Sequence, residues 1–177
     1  MIEIPTAMSL DPTMPDPLAT LSMHRTARPL LPAISLLVML FGCASTPDAA
    51  SSRASDATAR KAVAHAQELI GTPYRYGGAT PEGFDCSGLV NYTYARSGVT
   101  LPRSTELLRK STALISMDNL REGDLLFFNQ EDKKASHVAL YLGNGRFIHA
   151  PSTGGKVRTD LLTADYWKKH FAEARRI

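Results

Sequence analysis

Between residues 57 and 70 (ATARKAVAHAQELI), Val63, Ala66, Leu69 and Ile70 fall on one face at helical spacing, which predicts an amphipathic helix that Gly71 and Pro73 stop. Residues 72–83, TPYRYGGATPEG, are dense in turn formers and predict a loop. Asp85-Cys86-Ser87 then opens GLVNYTYARSG, where Leu89, Val90, Tyr92 and Tyr94 supply an apolar stripe and Gly98 a C-terminal stop. Cys86 is therefore expected at a helix N-terminus. A short helix is expected over 104–110. After Gly123 the period changes to short β-rich runs: DLLFFN, HVALYLG, RFIHA and KVRTDL. LGNGRF predicts a hairpin turning at Asn144-Gly145. TADYWKKH predicts one or two helical turns, and FAEARRI a strand that closes the sheet. Helices first and antiparallel strands later indicate an α+β fold rather than alternating α/β. Leu125, Leu126, Phe127 and Phe128 read as core strand residues.

The apolar run at 30–42, LLPAISLLVMLFG, is too short for a bilayer span of about 20 residues. It has the length of a signal-peptide core, about 7–15 residues, with Arg25 and Arg28 as a basic leader. Its end, LFGC at 40–43, resembles a bacterial lipoprotein signal, which implies cleavage before Cys43 and lipidation of its thiol. A buried helix ending near Gly42 is the competing expectation. Residues 44–58 hold Ser, Ala, Thr, Asp and Pro with no large apolar side chain, which predicts a flexible tether. The expected organisation is a signal peptide over 1–42 with its true start at Met23, a lipid-anchored tether over 43–58, and one catalytic domain over 59–177. Ala44 after the lipidated cysteine implies, by the same resemblance, the outer membrane.

A chain of 177 residues, 44% hydrophobic and 21% charged, suits one domain with its own core. The net charge of +3 is mild, and no Lys/Arg cluster interleaves with aromatics, so a nucleic-acid partner is not expected. The two cysteines, Cys43 and Cys86, sit in such different contexts that no disulfide is expected.

A thiol attacks as thiolate, and a helix N-terminus lowers its pKa, as does a neighbouring histidine. That histidine must come from elsewhere in the chain. Of the five, His24 lies in the leader, His65 on a helix and His170 in a charged segment. His137 starts one hairpin strand and His149 ends the other, so both lie near one end of the pair. One imidazole is suited to take the thiol proton and the other to fix its orientation. Cys86 also fits a structural cysteine, and the trio fits three zinc ligands lacking a fourth.

Taken together, GTPYRYGG (71–78), FDCSGLV (84–90), LPRST (101–105), REGDLLFF (121–128) and SHVALYLGNGRFIHA (136–150) resemble the NlpC-type family of cell-wall cysteine peptidases. The resemblance implies a papain-like fold, Cys86 as nucleophile, His137 as base and His149 as the residue that orients it. It implies that Tyr74 helps with the oxyanion, that Asp85 and Ser87 shape the site, and that Ser136 and Arg103 contact substrate. It implies no cofactor and no metal. The implied substrate is the peptidoglycan stem peptide, cut between D-glutamate and a diamino acid through a thioester. A silent wall-binding lipoprotein, or an amide or acyl transferase on the same fold, are the alternatives. A regulatory protein partner is compatible with the chain, although no segment marks where one binds.

Overall fold

A computed structural model describes residues 47–131, 133–152 and 154–177. The expected signal peptide over 1–42, the start at Met23, the lipid acceptor Cys43 and the first tether residues, 44–46, lie outside the described residues.

Helix α1 (Pro47–Gln67) leads to a two-stranded ribbon, β1 (Ala79–Thr80) and β2 (Gly83–Phe84), then α2 (Cys86–Arg96) and α3 (Thr105–Lys110). Strand β3 (Ala113–Ile115) and a 3₁₀ turn (Met117–Asn119) precede β4 (Leu125–Gln130), β5 (Lys133–Gly143), β6 (Arg146–His149) and β7 (Arg158–Leu161). Helix α4 (Asp165–His170) and β8 (Phe171–Arg176) complete the chain. The six-stranded sheet is antiparallel, in the order β3-β8-β4-β5-β6-β7. The final segment thus forms an interior strand, between β3 and β4.

Side-chain alternation divides the core into two layers. Leu125, Phe127, Val138, Leu140 and Ile148 pack with Ala62, Val63, Ala66, Leu89, Val90, Tyr94 and Leu108 from the helices. Leu126, Phe128, Ala139, Tyr141 and Phe147 face the other way and pack with Trp167 and Ala174. A strand covered on both faces needs no polar alternation, which is why LLFF is apolar throughout. All four of its side chains are fully buried. At the hairpin turn Asn144 and Gly145 both have positive φ, 51° and 70°, the backbone that a two-residue type I′ turn demands.

Several expectations need correction. Residues 47–58, expected as tether, form the first half of α1. The segment has few large apolar residues, but alanine at 49, 50, 54, 57 and 59 is the strongest helix former and proline suits a first helical turn. Ile70 is 53% exposed rather than on the apolar face. The helix ends at Gln67, and tight bonds from the Leu69 and Ile70 amides to the Ala66 and Gln67 carbonyls turn Ile70 outward. The ribbon lies inside the expected loop, and β3, mostly exposed, was not legible locally because it exists only by pairing with β8.

Candidate active site

Helix α2 begins where the chain makes its densest polar contacts. Asp85, in extended conformation, caps it: Oδ1 accepts the Gly88 N–H at 2.7 Å, satisfying an amide that has no helical partner. Oδ2 accepts the Gly77 N–H at 3.0 Å. Arg103 then grips the same carboxylate in bidentate fashion, Nη1 to Oδ1 at 2.9 Å and Nη2 to Oδ2 at 2.7 Å. Its remaining donors reach Ser87 Oγ at 2.8 Å and the Gly78 carbonyl at 3.0 Å. Asp85, Ser87 and Arg103 thus tie the loop at 77–78, the start of α2 and the segment before α3 into one frame around Cys86. The frame leaves no room at Gly88, where a Cβ would fall 2.0 Å from the Gly78 carbonyl oxygen.

Cys86 is half-buried at the first position of α2. Its sulfur lies 3.8 Å from Thr105 Oγ1, and the Val138 and Ser87 backbone amides also favour its thiolate. The balance of effects at the thiol nevertheless runs against the expected lowering. Burial pushes the Cys86 thiol up, and the neighbouring Asp85 charge adds to that; the three hydrogen-bond donors offset only part of it. Helix position is visible in a sequence, whereas loss of solvent is not.

Strand β5 begins at Lys133, so His137 lies within it rather than at its start as expected, while His149 ends β6; the two are 2% and 0% exposed. His137 Nε2 and His149 Nδ1 are 2.9 Å apart, and His149 Nε2 lies 3.0 Å from Asp160 Oδ2 on β7. The expected proximity is therefore found. Trp167 stacks on His137 at 5.8 Å and meets His149 edge-on at 4.9 Å. Enclosed in this aromatic layer, with Phe128 and Phe147, both rings resist charging. Burial lowers His137 to about 3, with help from His149, and His149 to about 4, against the opposing pull of Asp160. At neutral pH the resting site therefore holds a neutral thiol and neutral imidazoles.

A cleft of about 700 Å³ opens over Cys86 and His137. Tyr74, Tyr76, Asp85, Ser87, Arg103 and Ser136 contribute to its wall. Tyr74 is half-buried; burial, then the fields of Cys86 and Asp85, push its hydroxyl up, so it stays a donor. Ser136 Oγ is engaged with backbone, donating to the Gln130 and Lys133 carbonyls and accepting from the Gln130 amide. Of the expected substrate contacts, Asp85, Ser87, Arg103 and Ser136 thus all have protein partners. Sequence reasoning missed Asp160, Trp167, Thr105 and the Val138 amide. The zinc expectation finds no support in the geometry: both ring nitrogens of His149 are already hydrogen-bonded, and no group of metal-ligating side chains occurs among the described residues.

A cysteine at a helix start, facing a histidine pair carried by an antiparallel sheet, defines a papain-like α+β protein. The profile of the NlpC/P60 family matches residues 71–176, and the chain belongs to that family. It is 38% identical over 147 residues to the murein DD-endopeptidase MepH of Escherichia coli, covering 76% of this chain and 54% of that protein. It is 37% identical over 127 residues to the gamma-DL-glutamyl hydrolase of Bacillus subtilis, covering 70% of this chain and 31% of that one. The chain thus spans about half or less of the length of these relatives. Among solved structures, the NlpC/p60 domain of the peptidoglycan hydrolase SagA aligns with a TM-score of 0.59 at 34% identity, over 67% of this chain and 98% of that one. A lipoprotein-like NLP/P60 protein of Staphylococcus aureus aligns with a TM-score of 0.62 at 36% identity, over 69% and 42%.

Proposed function

We propose that this protein is a cell-wall cysteine peptidase that cuts peptidoglycan stem peptides at the bond between D-glutamate and the diamino acid. The observation that carries the proposal is the cleft, which is lined both by Cys86 at the start of α2 and by His137, itself hydrogen-bonded to His149.

The chemistry is acyl transfer. His137 accepts the thiol proton as sulfur adds to the peptide carbonyl. Because the resting pair is neutral, this transfer accompanies attack rather than preceding it. The oxyanion is met by the Cys86 amide, which has no acceptor among the described residues, and by the Tyr74 hydroxyl. His137 returns the proton to the leaving amine, giving a thioester. It then takes a proton from water, which adds to the thioester carbonyl. The released acid carries the water oxygen, and the proton returns to sulfur. His149 holds the base in place. We further assign Cys43 as the lipid acceptor and the cell envelope, at the outer membrane, as the place of action. Two or more acyl chains, at about 0.8 kcal/mol per buried CH₂, anchor stably where one does not.

The test is mass spectrometry of digested peptidoglycan incubated with the protein and with Cys86→Ala. The expected products have termini at D-glutamate and the diamino acid, and are absent with Cys86→Ala. A mass that instead marks cleavage of the D,D cross-link would move the bond, as the name of MepH suggests for that relative. No cleavage by the wild type, or equal cleavage by the variant, would refute the proposal.

A further inference from the structure

We propose that Asp160 is a positioning residue of the site: its carboxylate fixes the tautomers of His149 and, through it, of His137, so that the base presents a bare Nδ1. This rests on the assignment of His137 as base and His149 as its orienter, and extends it by one residue that neither motif nor spacing reveals.

Around Asp160 lie donors whose direction is not open to choice. Asp160 Oδ2 lies 3.0 Å from Trp167 Nε1, 3.2 Å from Arg158 Nε and 3.1 Å from Arg158 Nη2. Indole and guanidinium groups only donate. Oδ2 is therefore an acceptor towards all of them, and the carboxylate is ionised. Its side chain is 22% exposed, at the edge of a cavity lined also by Arg146, Thr159 and Tyr166, so solvent supports that charge. His149 Nε2, at 3.0 Å from the same oxygen, bonds only as a donor. A neutral His149 ring with its proton on Nε2 has a bare Nδ1. His137 Nε2, at 2.9 Å from that nitrogen, must then donate. One proton per neutral ring leaves His137 Nδ1 bare, with its lone pair free to accept a proton.

Remove the carboxylate and the chain loses its direction. His149 is then free to carry its proton on Nδ1, which turns the shared bond around and puts a proton on His137 Nδ1, where the thiol proton has to go. In the working direction, the positive charge formed on His137 during attack stays on that ring and is stabilised through two aligned N–H bonds that end on an anion. The register explains the placement. Strand β7 pairs with β6 so that Asp160 lies opposite Phe147 and Arg158 opposite His149, which sets the carboxylate diagonally from the ring it serves. Asp160 also ties α4 to the sheet through Trp167, so a purely structural role is the rival to exclude.

The test is ¹⁵N NMR of the histidine rings in the full protein at neutral pH, beside kinetics on digested peptidoglycan. In the wild type, both His137 and His149 are expected as Nε2–H tautomers. Asp160→Asn, close in shape but neutral, is expected to give mixed tautomers. Its kcat should fall on the order of 10²-fold with little change in KM. Asp160→Ala should behave alike if it folds. A wild type with His137 protonated on Nδ1 overturns the proposal outright. So does Asp160→Asn with unchanged tautomers, or with a loss confined to thermal stability. The NMR readout needs no substrate, so an error in the proposed bond or substrate leaves it intact.

Discussion

At the residue scale, the environment of Cys86 governs how it reacts. The thiol has three hydrogen-bond donors and a helix start in its favour, yet burial and the Asp85 charge outweigh them and push it up. With His137 lowered to about 3, burial favours the neutral form of both groups in the resting site. Alkylation of Cys86 by iodoacetamide should therefore be slower at pH 7 than that of a free thiol, and should rise beyond the usual thiol value of about 8.5. A rate that is already maximal at pH 6–7 would mean that a preformed ion pair exists. Legibility at this scale was uneven. Cys86, His137 and His149 were readable because a motif marks the first and one hairpin turn fixes the other two. Asp160 was not, since β6 and β7 are joined by a long connection whose register no local turn sets.

At the element scale, the position of Cys86 depends on how α2 starts. The Asp85 cap and the grip of Arg103 hold the helix against the loop at 77–78, and only a residue without Cβ passes the Gly78 carbonyl. Gly88→Ala should shift the start of α2, because the obstruction is backbone. The expected cost is about 1–3 kcal/mol of stability, with turnover falling on the order of 10²-fold as Cys86 leaves its alignment. Urea unfolding and peptidoglycan turnover check both; unchanged values would contradict the frame described for this corner. The elements themselves were largely legible where period and punctuation agree, as at α2, α3 and the β5–β6 hairpin. Helix α1 was foreseen to start ten residues too late, because its first half has helical propensity without a large apolar stripe. Strand β3 depends on a partner some 60 residues away, which local pattern does not report.

At the scale of the whole molecule, the site joins the two core layers, Cys86 and Tyr74 packing against the first and the histidines against the aromatics of the second, so its chemistry and the stability of the fold are linked. His137 and His149 have folded-state values of about 3 and about 4, below the ordinary 6.5. Their contribution is thus complete above pH 6.5 and is lost as pH falls towards 4, because the unfolded chain binds protons that the native rings refuse. Stability should decline from pH 6.5 to 5 by up to about 1.4 kcal/mol per pH unit for each ring. A flat urea midpoint over that range would mean that the rings are charged in the native state. The α+β class and the papain-like arrangement were readable from element order and motifs, whereas the two-layered core around the histidines emerged only with the sheet order. The central claim is that Cys86 carries the acyl group. It is tested most directly by quenching the protein in acid during turnover of a stem-peptide substrate and mapping the adduct by mass spectrometry. The account predicts an acyl half of the substrate on Cys86, released by hydroxylamine as a thioester should be and absent in Cys86→Ala. Turnover with no adduct, together with undiminished turnover by Cys86→Ala, would contradict it.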